Sequence, residues 1–352
     1  MGKLFHERLR SARILNGFSL QDLANALNDK ISRQSLHKYE IGDIVPDSDM
    51  ISELSKVLNV QPGFFYRNFK VKLDKLDFRK QVKLPAKEQL RIVEVTKELL
   101  SRYLELEELL GIDTVYRNPL KGLPTISSFE DVEKYALEVR GLWNLGLAPI
   151  YNVIELLEDN HIKVVAVDSE ERFDGTQTWL NQTIPVIVFN RRYLESTDRI
   201  RFAILHKLGY LLLPLSGLSE KMKEKYCDRF AAAMLIPKAI IQRKLGIFRS
   251  RMFIQELIEL KKLYGIPIQT LVHRSKDLDI LTAKYCKQFM IMVTDDDRKI
   301  IEPVQYIGLE ESNRFTRLLF RALAEKRISV NKAAALSNQP VKDFQKQITV
   351  IQ

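Results

Sequence analysis

The residues best suited to chemistry lie in two apolar stretches, RFAILHKLGYLLLP at 201–214 and EKYCDRFAAAMLIP at 224–237. Apolar residues fill nearly every turn of both, so each is expected to form a helix buried on most sides. His206, Lys207 and Tyr210 fall in the first stretch, Glu224 and Asp228 in the second. A helical His-Glu-x-x-His places two imidazoles one turn apart as zinc ligands, with the glutamate as general base. Here only the first histidine is present. Lys207 stands where the base belongs and Tyr210 where the second imidazole belongs. The spacing of Glu224 and Asp228 suits a third ligand and the residue that orients it. One imidazole, one carboxylate and a phenol make a poor zinc set, and Lys207 adds a positive charge beside it. The expectation is a site with no catalytic residue, no metal and no cofactor. In it Lys207 lays its stem over apolar surface or pairs its ammonium with Glu224, replacing a cation with its own charge, and Tyr210 bonds to His206 or Glu224.

Taken in this order, the two stretches resemble the ImmA/IrrE family of metallopeptidases, through RFAILHKLGYLLLP followed by ExxxDRFAAAMLIP. The resemblance covers roughly residues 130–285 and implies a zincin-like domain with a small sheet. The departures at Lys207 and Tyr210 fall on the residues that carry catalysis in that family. They imply a pseudo-metallopeptidase that senses a small-molecule effector or a partner protein.

The elements that would position a second kind of chemistry lie at the N-terminus. Leu9, Ala12, Ile14 and Leu15 give a first amphipathic helix that ends at Asn16-Gly17. Ser19 caps a second helix, with Asp22 three residues on, and Asn28-Asp29-Lys30 turns the chain. Ser32 caps a third, SRQSLHKYE, which stops at Gly42, and two shorter helices follow from Pro46 and Gln61. Five short helices with a turn between the second and third describe a helix-turn-helix unit. SLQDLANAL, ISRQSLHKYEIGDIVP and ISELSKVLNV resemble the XRE, phage-repressor-like, helix-turn-helix family. The resemblance implies double-stranded DNA as a partner, with Arg33, Gln34 and Lys38 toward base edges. It puts Ser32, Ser35 and His37 at phosphates. Arginine and lysine suit guanine and glutamine suits adenine. Leu36 and Tyr39 are expected to face the core, and Glu40 to hold the loop to the second helix.

The remaining chain divides at changes of composition. The expected domains are 1–69 (helix-turn-helix), 70–118 (basic linker and long helix), 119–285 (peptidase-like) and 286–352 (hairpin and helical tail). Lys72, Lys75, Arg79, Lys80 and Lys83 could touch phosphate from the linker. The long helix carries Ile92, Val95, Leu99, Tyr103, Leu106 and Leu110 as one stripe, with Glu105, Glu107 and Glu108 outside it. That stripe packs on its own domain or pairs two chains as a homodimer. A helix is expected from Pro149, then strands at 162–167 and 184–189 with Gly175 in the loop between. Strands at 289–293 and 299–303 should flank an acidic turn at 295–297. The expected class is mainly α with one α+β domain.

A formal net charge of +10 favours an acidic partner. Cys227 and Cys286 are the only cysteines, which argues against a disulfide framework and for a reducing cytoplasm. The N-terminus has no apolar signal segment, and no run is long enough to span a membrane. Two functions fit. One is a DNA-binding regulator, acting as a repressor, with a sensing domain. The other is an antitoxin-like protein that neutralises a co-encoded toxin and represses its own promoter. An active peptidase is the third reading, against the loss of base and ligand.

Overall fold

A computed structural model of the chain describes residues 2–67, 71–76, 78, 84–113, 115–292 and 303–348. In chain order it opens with α1 (Gly2–Leu15), α2 (Leu20–Ala26), α3 (Arg33–Ile41) and α4 (Ser48–Val57). A 3-10 turn (Pro62–Tyr66) precedes the long α5 (Ala86–Leu109). Next come α6 (Phe129–Leu142), α7 (Val153–Asp159), β1 (Lys163–Val167), β2 (Gly175–Leu180) and β3 (Ile184–Asn190). Six helices follow: α8 (Arg191–Leu194), α9 (Thr197–Leu212), α10 (Glu220–Leu235), α11 (Lys238–Leu245), α12 (Ile254–Tyr264) and α13 (Ile268–Asp277). The chain continues through α14 (Ala283–Met292) to a tail of α15 (Arg314–Ala324), α16 (Val330–Leu336) and α17 (Val341–Gln347). The class is mainly helical with one small sheet, as the composition of the segments leads one to expect. No helix among the described residues is long and apolar enough to cross a membrane.

Two compact units result. The described residues of 1–74, 78–114 and 313–352 form the first, and those of 75–77 and 115–312 the second. In the first, Leu9, Ala12, Leu23, Leu27, Leu36, Leu54, Leu58 and Phe65 make one core. A second cluster joins Leu106 of α5 and Leu110, which caps its end, to Leu318, Leu319, Ala322, Leu336 and Phe344 of the tail. The tail helices thus belong with α5, a partnership of residues some two hundred positions apart that local pattern does not reveal.

The stripe expected on α5 is corrected by charge. Leu99 is 37% exposed, while Glu98 and Glu107 are buried. Glu98 accepts from Arg8 at 2.9 Å and from Arg67 at 2.7 Å, and Glu107 accepts from Arg314. Glu105, also expected outside, pairs with Lys332 and lies 3.2 Å from Arg67 Nε. Buried carboxylates require such partners, and here the cations come from other elements of the unit.

In the second unit the sheet order is β1-β3-β2, with β1 parallel and β2 antiparallel to β3. Every residue of the central β3 is buried. Gly175 opens a strand where a loop is expected, because the alternating GTQTWL lacks the apolar run that marks β1 and β3. A side chain there would sit 2.6 Å from the Val188 carbonyl oxygen, so the close pairing requires glycine. The helix expected from Pro149 begins at Val153, after Asn152 caps it. Residues 289–292, expected as strand, finish α14. The acidic turn at 295–297 lies outside the described residues, with position 293 and the return strand up to 302. Helices α9 and α10 pack closely at Gly209, where a Cβ would lie 3.2 Å from Cys227 Cα. Buried ion pairs brace the unit: Lys261 with Asp198 at 2.8 Å, Arg201 with Glu310 at 2.6 Å, and Arg274 with Glu133 at 2.9 Å.

Candidate nucleic-acid interface and the histidine cluster

The first unit presents α3 on a locally fixed frame. Ser19 and Asp22 form a full capping box on α2: the Asp22 amide donates to Ser19 Oγ at 3.0 Å, and the Ser19 amide to Asp22 Oδ2 at 2.7 Å. Asn28 and Asp29 then take left-handed backbone, both with φ of 54°, and turn the chain. Ser32 caps α3 by accepting from the Ser35 amide at 3.1 Å, and its hydroxyl meets that of Ser35 at 3.0 Å. Gly42 ends the helix at φ 83°, and its Cβ would meet His6 Nδ1 at 2.9 Å.

This frame divides α3 into two faces. Leu36 is buried and Tyr39 half-buried, as expected. Arg33, Gln34, His37 and Lys38 are exposed, as is Ser32, and Ser35 is half-buried. Burial of Tyr39, and then the charge of Asp47, raise its phenol above the ordinary value. Glu40 works differently from expectation. Its carboxylate accepts from Arg13 Nε at 2.6 Å and Nη2 at 2.8 Å, fastening α3 to α1. Arg13 Nη1 donates to the Phe18 carbonyl at 2.7 Å, so the loop before α2 is held through the arginine. Sequence pattern does not mark Arg13 as a site residue, since its partner lies two helices away.

In the second unit the five residues singled out in α9 and α10 do come together, apart from Lys207. His206 Nδ1 lies 2.8 Å from Asp228 Oδ1, and Nε2 lies 3.1 Å from Glu224 Oε2. Tyr210 donates its hydroxyl to Glu224 Oε1 at 2.7 Å. Lys207 instead faces Asp174 Oδ2 at 3.9 Å, in the turn that leads into β2. Asp174 holds that turn by accepting from the Gly175 amide at 2.7 Å. The expected Lys207–Glu224 pair is therefore replaced, because the glutamate is already engaged by an imidazole and a phenol.

The electrostatics follow from this geometry. Burial lowers the His206 pKa, but the bonds to Asp228 and Glu224 outweigh it and hold the ring above its ordinary value. Burial, and then the bond to Glu224, push the Tyr210 phenol far upward, so it stays protonated. Two donors on one tetrahedral zinc, each about 2.0–2.1 Å from it, lie about 3.3 Å apart. His206 Nε2 and Glu224 Oε2, 3.1 Å apart, come near that separation, but Asp228 is taken up by the opposite ring nitrogen and the Tyr210 hydroxyl donates to Glu224, so no third imidazole or carboxylate joins them. The donor set does not fit zinc. Among the described residues no group of three or more His, Cys, Asp or Glu is arranged to hold a metal.

Comparison with known proteins bears on the first unit. Residues 9–65 match the helix-turn-helix family HTH_3. Over 71 residues the chain is 37% identical to the SPbeta prophage-derived uncharacterized HTH-type transcriptional regulator YonR of Bacillus subtilis (strain 168). That match takes in 20% of this chain and 64% of the relative, a little under two thirds of its length. The match places a helix-turn-helix domain in the N-terminal part of the chain.

Proposed function

We propose that the chain is a sequence-specific DNA-binding transcriptional regulator, acting as a repressor, that reads its site with α3. The observation that carries this reading is the outward face of α3. It offers Arg33, Gln34, His37 and Lys38 to solvent while Leu36 and the Arg13–Glu40 pair fix the helix from behind. Arg33, Gln34 and Lys38 suit base edges, and Ser32, Ser35 and His37 suit phosphates. Within the same proposal the second unit is a peptidase-like domain of ImmA/IrrE type without catalysis, serving as a sensor. The Tyr210–Glu224–His206–Asp228 chain supports that reading, since it uses the carboxylates internally.

The test is binding of the intact chain to duplexes selected from a random-sequence library. Arg33→Ala and Gln34→Ala are each expected to cost about 1–3 kcal/mol on the selected site and to relax its sequence preference. A parent protein that selects no sequence, with both variants binding like it, overturns the proposal.

A further inference from the structure

The matched helix-turn-helix stretch is short of the charge that a DNA partner demands. Residues 9–65 carry six Lys/Arg against seven Asp/Glu, whereas residues 66–91 carry nine against three. Duplex DNA is held largely through its phosphates, and most protein–DNA hydrogen bonds go to the backbone. A domain with a formal charge of −1 has little to offer a polyanion beyond α3 itself. The missing cations lie in sequence just past its boundary.

Two distances within the first unit bring one of them to the helix-turn-helix. Lys87, in the first turn of α5, has its Nζ 3.4 Å from Asp22 Oδ2, in the first turn of α2. A Cβ on Gly17, in the loop before α2, would meet Arg91 Cδ at 3.5 Å. The start of α5 therefore lies along the entry to α2. Arg91 is committed to Glu88 through two bonds of 2.8 and 2.7 Å, whereas Lys87 makes one longer contact and keeps more freedom to move. Its side chain is 64% exposed, and an ion pair that solvated holds it only weakly. In a helix-turn-helix bound to DNA, the first helix of the pair crosses the backbone while the second enters the groove. An ammonium at the flank of α2 stands where phosphates pass.

We propose that Lys87 is a phosphate-contact residue of the DNA interface, so that α5 belongs to that interface and is more than a linker. The inference rests on the DNA-binding reading given above. It differs from a charge-masking role, in which Lys87 would merely offset the carboxylate of Asp22.

The test measures full-length protein on its selected duplex and on an unrelated duplex across a salt series. Lys87→Ala is placed in the parent and in an Asp22→Asn background. Loss of a phosphate contact is expected to weaken both duplexes alike, roughly three- to tenfold at moderate salt, and to flatten the log–log salt slope by about 1. The same loss should appear in both backgrounds. Lys97→Ala, a cation paired with Glu94 at 2.9 Å farther along α5, should leave the slope unchanged. A Lys87→Ala slope equal to the parent's overturns the inference. So does a loss that vanishes in the Asp22→Asn background, which would assign charge masking. If the parent binds neither duplex, the DNA-binding reading falls with it. If the parent binds and Lys87→Ala matches it, only this inference falls.

Discussion

Glu40→Ala probes the fastening of α3 most directly. The side chains of Arg13 and Glu40 are 13% and 6% exposed and meet through two bonds, 2.6 and 2.8 Å long. Truncating the carboxylate leaves a guanidinium inside the unit with the Phe18 carbonyl, at 2.7 Å, still accepting from it. Breaking a buried pair from one side costs about 3–5 kcal/mol, against about 0.2–1 kcal/mol for an exposed pair. The remaining carbonyl bond and the slight exposure of Arg13 place Glu40→Ala near 3 kcal/mol. Glu40→Gln keeps an acceptor and the shape, and should cost about 1–2 kcal/mol. Arg13→Met with Glu40→Leu removes both desolvated charges and should recover most of the loss. Hydrogen exchange of the α1 and α3 amides in the intact chain reads this opening locally, without assuming that two units unfold as one. At tenfold per 1.4 kcal/mol, Glu40→Ala should lower protection about a hundredfold. A loss below about 1 kcal/mol, or a double variant as damaged as the two singles summed, would refute the reasoning.

Further outcomes are expected in the second unit. Protein purified without chelator should hold well under one zinc per chain, and Lys207→Glu combined with Tyr210→His should raise elemental zinc toward one. A folded double variant that takes up no metal would show that the cavity itself has changed beyond the two residues. Asp131 accepts from the Ser127 amide at 2.9 Å and its hydroxyl at 2.8 Å, and from the Ser128 amide at 2.9 Å, which hold its pKa at about 2 rather than 3.8. Because the folded value is depressed, this cap on α6 is fully effective above the unfolded value and is lost as pH falls through about 2. An NMR titration of Asp131 with its midpoint near the ordinary carboxylate value would contradict that assignment.

What the sequence alone determined is what short range decides. Ser19, Ser32 and Gly42 mark helix ends through bonds to residues a few positions away, so the helix-turn-helix and the outward face of α3 are legible in the order of residues. That Tyr210 meets Glu224 follows the expectation drawn from the two motif stretches, whereas the bond of His206 to Asp228 is not legible in them. Only the tertiary structure decided where buried charges find partners. Arg13 meets Glu40, Lys207 turns to Asp174, and Arg314 and Lys332 reach Glu107 and Glu105. The strand that opens at Gly175 and the tail on α5 belong to the same class. A carboxylate's need for a cation is fixed by its burial, and burial is a property of packing between distant segments, which no local pattern records.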